Sequence, residues 1–247
     1  LKSSNSKTLV TLMHINNELG NILDINLVSN LCIEYKSLFH SDTVQSIGHY
    51  KLDLSSLNID FLVASAHKFH GPKGIGFAYI SKKNPIRPLI FGGSQEKGCR
   101  AGTESVHNII GMSDALDISM HKIEAETKYI KNLKSYFIDQ LKDNIKGIKF
   151  NGASADLEHS TYTLVNVRFP IIKEESALFL FQLDMKGIAC SKGSACQSGA
   201  DSGSHVLNNV LSEEENKFVS LRFSFSIYNT IEEVDYVISE LKELINK

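Results

Sequence analysis

Apolar residues in the first eighty positions gather into short runs separated by polar, glycine-bearing loops. Thr8-Leu9-Val10-Thr11-Leu12-Met13 reads as a strand, followed by a polar loop from His14 to Gly20. A helix is expected from an Asp24 N-cap to about Lys36, with Ile25, Val28, Leu31 and Cys32 on one face. Leu38-Phe39-His40 is a short strand ending at Ser41-Asp42. Phe61-Leu62-Val63-Ala64-Ser65-Ala66 and Ile75 to Ile80 have the unbroken apolar texture of buried strands. Buried strands alternating with helices predict an α/β unit with a mostly parallel sheet. Its strand ends carry Asp42, Ser65, His67 and Lys68, where open α/β sheets place ligands.

After Gly92-Gly93 the pattern turns helical and charged, from Glu104 to about Ile145, and reads as one helix leading into another. A strand (Leu164 to Phe169), a helix (Glu174 to Leu183), a Gly/Ser/Cys loop (Ser191 to Gly203), a strand (Val219 to Ser226) and a helix (Ile231 to Ile245) complete the pattern. The expected division is a large unit over residues 1–122 and a smaller α+β unit over 123–247.

Composition narrows the function classes. The chain has 247 residues and a net charge of −2, so nothing general points to nucleic acid or an anionic membrane as partner. No apolar run approaches the ~18 residues of a transmembrane helix. The four cysteines, Cys32, Cys99, Cys190 and Cys196, match no disulfide framework and no zinc spacing, so no metal site is expected. A reduced, cytoplasmic setting is the default. The opening on Leu1 reads as a fragment or a processed product, and the lead-in resembles neither a secretory signal nor an Arg-rich transit peptide.

The chemistry concentrates in Ser65-Ala66-His67-Lys68-Phe69-His70-Gly71-Pro72-Lys73-Gly74-Ile75-Gly76. A lysine directly after an apolar strand is placed for desolvation, which lowers the cost of the neutral, nucleophilic amine. A solvated loop lysine is the commoner explanation of any lone lysine. Here Ser65 and His67 flank it as phosphate donors, the glycines permit close backbone approach, and Asp42 and Gln45 occupy the neighbouring strand end. A second candidate is Cys196, in a loop of small residues with Lys192 nearby, whereas Cys32 and Cys190 have the apolar neighbours of core cysteines.

Six segments in order resemble the class V aminotransferase superfamily of fold type I pyridoxal-phosphate enzymes, and within it the cysteine desulfurases. They are Met13-His14-Ile15-Asn16-Asn17-Glu18-Leu19-Gly20, His40-Ser41-Asp42-Thr43-Val44-Gln45-Ser46-Ile47-Gly48, the lysine loop, Gly98-Cys99-Arg100-Ala101-Gly102-Thr103, Gly193-Ser194-Ala195-Cys196 and Leu221-Arg222-Phe223-Ser224. The resemblance implies that Lys68 links covalently to pyridoxal 5'-phosphate and that Asp42 pairs with the pyridine nitrogen. It gives Gln45 to the phenolic oxygen, Ser65 and His67 to the phosphate, and Thr103 to the phosphate of a partner subunit. Asn17 lies beside cofactor and substrate, and Arg222 clamps the substrate carboxylate with the planar fork that suits carboxylates. Cys196 is the nucleophile that takes sulfur from L-cysteine as a persulfide, leaving alanine. Cys99 receives no role.

The implied assembly is a homodimer that passes sulfur to a scaffold or carrier protein for iron–sulfur cluster assembly or tRNA thiolation. Thr43-Val44 stands where the family has smaller residues. The family's N-terminal stretch, with a phosphate-binding turn and a histidine that stacks on the cofactor, has no counterpart here. A truncated form of a normal enzyme is the expectation. The alternatives are a selenocysteine lyase, another class V enzyme, or a truncated non-catalytic paralogue.

Overall fold

A computed structural model of the chain describes residues 1–2, 6–192 and 204–245, and separates them into two compact units. The first comprises Leu1–Ile15 and Leu23–Ile123. The second comprises Asn16–Ile22 and Glu124–Lys247. Residues 16–22, which the sequence pattern alone leaves with the first unit, therefore cluster with the second.

The first unit is built on four strands in the order β1(Leu9–Met13), β2(Leu38–Asp42), β3(Phe61–Ser65) and β4(Gly76–Ile80). The first three are parallel and β4 runs antiparallel to β3. Helix α1(Ile25–Glu34) makes the crossover from β1 to β2, and the Asp24 carboxylate accepts from Leu27 N at 2.9 Å as its N-cap. It buries Ile25, Ser29 and Cys32 rather than the expected apolar stripe, and Leu31 is exposed. The core under it joins Ile25 and Cys32 to Phe39, Leu57, Ile59 and Leu62.

The charged stretch expected to form two helices is one, α2(Val106–Asn144), of 39 residues. Gly111, the single glycine in it, is a packing residue and not a break: a Cβ there would meet Pro72 Cγ at 2.8 Å. The C-terminal half buries Ile130, Leu133, Phe137, Ile138 and Leu141, the i, i+3, i+4 spacing of one helical face.

In the second unit an antiparallel sheet runs in the order β5(Lys149–Phe150), β6(Leu164–Ile172) and β7(Phe218–Ser224). Strand β6 extends beyond the expected Phe169 through a register irregularity between Arg168 and Ile172. Pro170, which has no N–H to give a ladder, falls within that irregularity. Helices α3(Ser176–Met185) and α5(Ile231–Ile245) and the end of α2 pack on the sheet around Val165, Val167, Phe169, Leu221 and Phe223. Strand β5 and the short helix α4(His205–Val210) were not foreseen, since two and six residues are too few to show a period.

Candidate active site

Asp42, Gln45, Ser65, His67 and Lys68 all fall at the carboxyl ends of β2 and β3 in the first unit. Asp42 closes β2 in register with Met13 of β1 and Val63 of β3. The chain then folds into tight turns, in which Thr43 Oγ1 donates to Val63 O at 2.7 Å and Ser46 Oγ donates to Thr43 O at 3.0 Å. Asp42 Oδ1 accepts from Val44 N at 2.9 Å, which sets the carboxylate's orientation.

The lysine lies on a 3₁₀ turn, Ala66–Phe69, directly after β3. Ala66 and Phe69 point inward and are almost wholly buried, so the intervening His67 and Lys68 are turned outward and exposed. This corrects the expectation of a desolvated lysine: the turn's geometry presents the amine to the outside. The turn is closed by His70 in the left-handed region at φ 65 and by Gly71 N donating to Ala66 O at 2.9 Å. It is fixed against the turns after β2 by Gly48. At φ +83, a Cβ on Gly48 would overlap Phe69 Cβ and lie 3.0 Å from Phe69 Cγ. The His49 ring bonds the Lys68 carbonyl oxygen through Nε2 at 2.9 Å.

Gln45, Ser65, His67 and Lys68 make no side-chain hydrogen bond among the described residues, and Asp42 commits one carboxylate oxygen of two. Thr103 is exposed in the irregular segment preceding α2. Buried His14 follows β1 with its Nδ1 unpartnered among the described residues, and burial pushes its pKa down.

The second unit brings together Asn17 and Arg222. Arg222 Nη1 donates to Asn17 O at 2.8 Å, and Arg222 exchanges backbone hydrogen bonds with Ser191. Across β6 and β7, Arg222 is in register with Asn166, whose buried amide donates to Glu18 O at 3.1 Å. The Asn16 side chain accepts from the N–H groups of Glu18 and Leu19 and so tightens the turn carrying Asn17. Cys196 lies outside the described residues. Cys32 and Cys190 both pack on core residues, and burial raises the Cys190 thiol to about 11, which keeps it protonated and inert near neutrality. Sequence reasoning passed over His14 and Glu18, although both stand in a quoted motif, because nothing in the letters distinguishes a buried polar residue from a solvated one.

The family model for aminotransferase class-V matches residues 2–237. The chain is 38% identical over 239 residues to the cysteine desulfurase IscS of Dictyoglomus turgidum, covering 97% of this chain and 59% of that protein. The solved NifS-like protein from Rickettsia africae superposes with a TM-score of 0.87 at 30% identity, over 100% of this chain and 64% of that one. SspA, solved in complex with cysteine, gives 0.72 at 31% identity over 92% of this chain and 61% of its own. The chain thus spans about 60% of the length of such relatives. With its largely parallel sheet unit ending in a lysine turn and its α+β unit, it belongs to the class V aminotransferase family, whose members are fold type I pyridoxal-phosphate enzymes.

Proposed function

We propose that the protein is a cysteine desulfurase, converting L-cysteine to L-alanine with transfer of the sulfur to Cys196 as a persulfide. The observation that carries this reading is the set Asp42, Gln45, Ser65, His67 and Lys68 at two adjacent strand ends, with polar atoms uncommitted among the described residues. That donor set fits pyridoxal phosphate. Lys68 supplies an exposed amine for the covalent link, Asp42 a spare carboxylate oxygen for the ring nitrogen, Gln45 an amide for the phenolic oxygen, and Ser65 and His67 donors for the phosphate. When bound, the cofactor supplies an electron sink for the charge left at the substrate Cα.

The residues of the chain do the rest. Arg222, braced on the Asn17 carbonyl, grips the substrate carboxylate and orients Cα. Lys68 would take the proton from the substrate Cα as a general base. The Cys196 thiolate then attacks the substrate sulfur: a sulfur–sulfur bond forms, the Cβ–S bond breaks, and its electron pair stays with the carbon that is protonated to alanine. One cysteine and one thiol give one alanine and one persulfide, with no outside oxidant. Thr103 serves the phosphate of a second subunit, so the working form is a homodimer. The recipient of the sulfur is a scaffold or carrier protein in the cytoplasm, serving iron–sulfur cluster assembly or tRNA thiolation.

The Cys196→Ser variant tests the reading. It is expected to hold cofactor and to change its absorption on adding cysteine, yet to carry no persulfide and release no sulfide. Alanine and sulfide at near wild-type rate would instead identify a lyase that expels sulfur without a protein thiol.

A further inference from the structure

Glu18 is wholly buried in the second unit, an expensive place for a carboxylate unless it is partnered. Its Oε2 accepts a hydrogen bond from Ser204 Oγ, while Oε1 finds no donor among the described residues. Ser204 Oγ donates to Glu18 and also accepts from Leu207 N at 3.1 Å as the N-cap of α4. Ser204 is eight positions after Cys196 in the chain. On the other flank, Ser191 is held by backbone hydrogen bonds to Arg222 at 3.1 and 2.7 Å.

Glu18 is itself held by a buried polar line. Asn166 Nδ2 donates to its carbonyl, Asn151 Nδ2 donates to Asn166 Oδ1 at 2.8 Å and also to Ser220 Oγ at 2.9 Å. The residues that flank Cys196 on either side thus end on one cluster, formed by the Asn16–Gly20 turn and Arg222. An apolar side chain at position 18 would fill the same space with no polar group to satisfy, so the buried Glu18–Ser204 bond calls for an explanation beyond packing.

We infer that Glu18 is a positioning residue for sulfur transfer, tying Ser204 to the turn that carries Asn17 and so registering the chain on the far side of Cys196 against the substrate clamp. The inference rests on the desulfurase reading, and it makes the Glu18–Ser204 bond, not either residue alone, the functional unit.

The test reverses the bond in the full-length enzyme. Ser204→Asp keeps an N-cap for α4 but sets a second carboxylate against Glu18. Adding Glu18→Gln restores a hydrogen bond with donor and acceptor exchanged. Two readouts report on Cys196: persulfide formation in a single turnover, and the alkylation rate of Cys196 by iodoacetamide in cofactor-free protein, mapped by mass spectrometry. Ser204→Asp is expected to slow persulfide formation at least tenfold and to shift alkylation at least threefold, with KM for cysteine changed less than twofold. The reversed pair is expected to return both readouts to within threefold of wild type. The inference is overturned if Ser204→Asp lowers only the melting temperature, or if the reversed pair recovers neither readout. Should Ser204→Asp fail to fold, Glu18→Leu takes its place, and unchanged Cys196 readouts there overturn it equally. A wild-type enzyme that forms no persulfide on Cys196 refutes the desulfurase reading instead, while the alkylation comparison still decides whether the bond governs Cys196.

Discussion

The first unit registers its candidate residues by backbone approaches too close for a side chain, and the second registers Asn17 and Arg222 by buried hydrogen bonds. Around Lys68, Gly48 lies against Phe69, Gly71 against Ala66 and Gly76 against the Ala64 carbonyl. His67 and Lys68 are turned outward, and Gln45, Ser65, His67 and Lys68 keep their side-chain polar atoms free of hydrogen bonds among the described residues. Around Asn17, the side chains of Asn166, Asn151, Ser154, Lys134 and Glu18 are wholly or almost wholly buried and hydrogen-bonded to one another, to the hydroxyls of Ser160, Ser204 and Ser220, or to nearby backbone. The difference follows from what each half has to offer a ligand. A steric lock fixes a turn without consuming the donors that a cofactor needs, whereas a hydrogen-bonded lock suits a clamp whose backbone must stay in one place.

The largest effect that this comparison predicts is at Lys68. Lys68→Ala leaves the turn's inward residues and its Gly48 contact untouched, so fold and stability should persist. Activity should fall by several powers of ten, each ~1.4 kcal/mol of barrier being tenfold, and borohydride should no longer fix cofactor to the protein. Reduced cofactor found on Lys73 would show that the turn presents the wrong lysine.

Next is the steric lock itself, for which the first unit supplies an internal control. Gly48 and Gly74 have nearly the same backbone, φ +83 and +81, but a Cβ on Gly74 would meet nothing within 4 Å. Gly74→Ala should therefore cost only the left-handed backbone term, about 1 kcal/mol. Gly48→Ala adds the clash with Phe69 and should cost about 4 kcal/mol, strain and overpacking together. Denaturant midpoints measure both. Equal losses would mean that Phe69 yields freely and that the turn is not sterically fixed.

The same contrast explains what could be read from the letters alone. Lys68, Asp42 and Gln45 were legible because strand ends are visible as the limits of apolar runs, and scarce chemical residues gathered there. Glu18 and Lys134 were not, because their partners Ser204 and Ser160 lie 186 and 26 positions away. Periodicity marked Lys134 as a helical position without saying that its amine is buried. The continuity of α2 was not legible either, because a glycine that packs closely against Pro72, as Gly111 does, is the same letter as one that ends a helix.

The smallest predicted effect probes the hydrogen-bonded lock through pH. Lys134 is fully buried, with Nζ donating to Ser160 Oγ and Thr161 O at 2.7 Å each. Thr161 N in turn donates to Gly20 O, so this lysine supports the segment that begins at Asn17. Burial lowers its pKa from 10.5 to about 8, against the opposing pull of Asp156. Between those two values the unfolded chain binds more of a proton than the folded one, so stability must rise with pH from about 8 to 10.5. At 1.36 kcal/mol per pH unit the rise is at most about 3 kcal/mol, and less where the site relaxes. Below pH 8 both states are protonated and the cost of burying the charge is carried in full. Lys134→Met removes the titration together with two hydrogen bonds. Its stability, measured as urea midpoints at half-unit steps, should therefore lack the rise that the wild type shows across this window. Parallel curves for the two proteins would mean that the amine reaches solvent, and that the second unit's lock is looser than its buried hydrogen bonds imply.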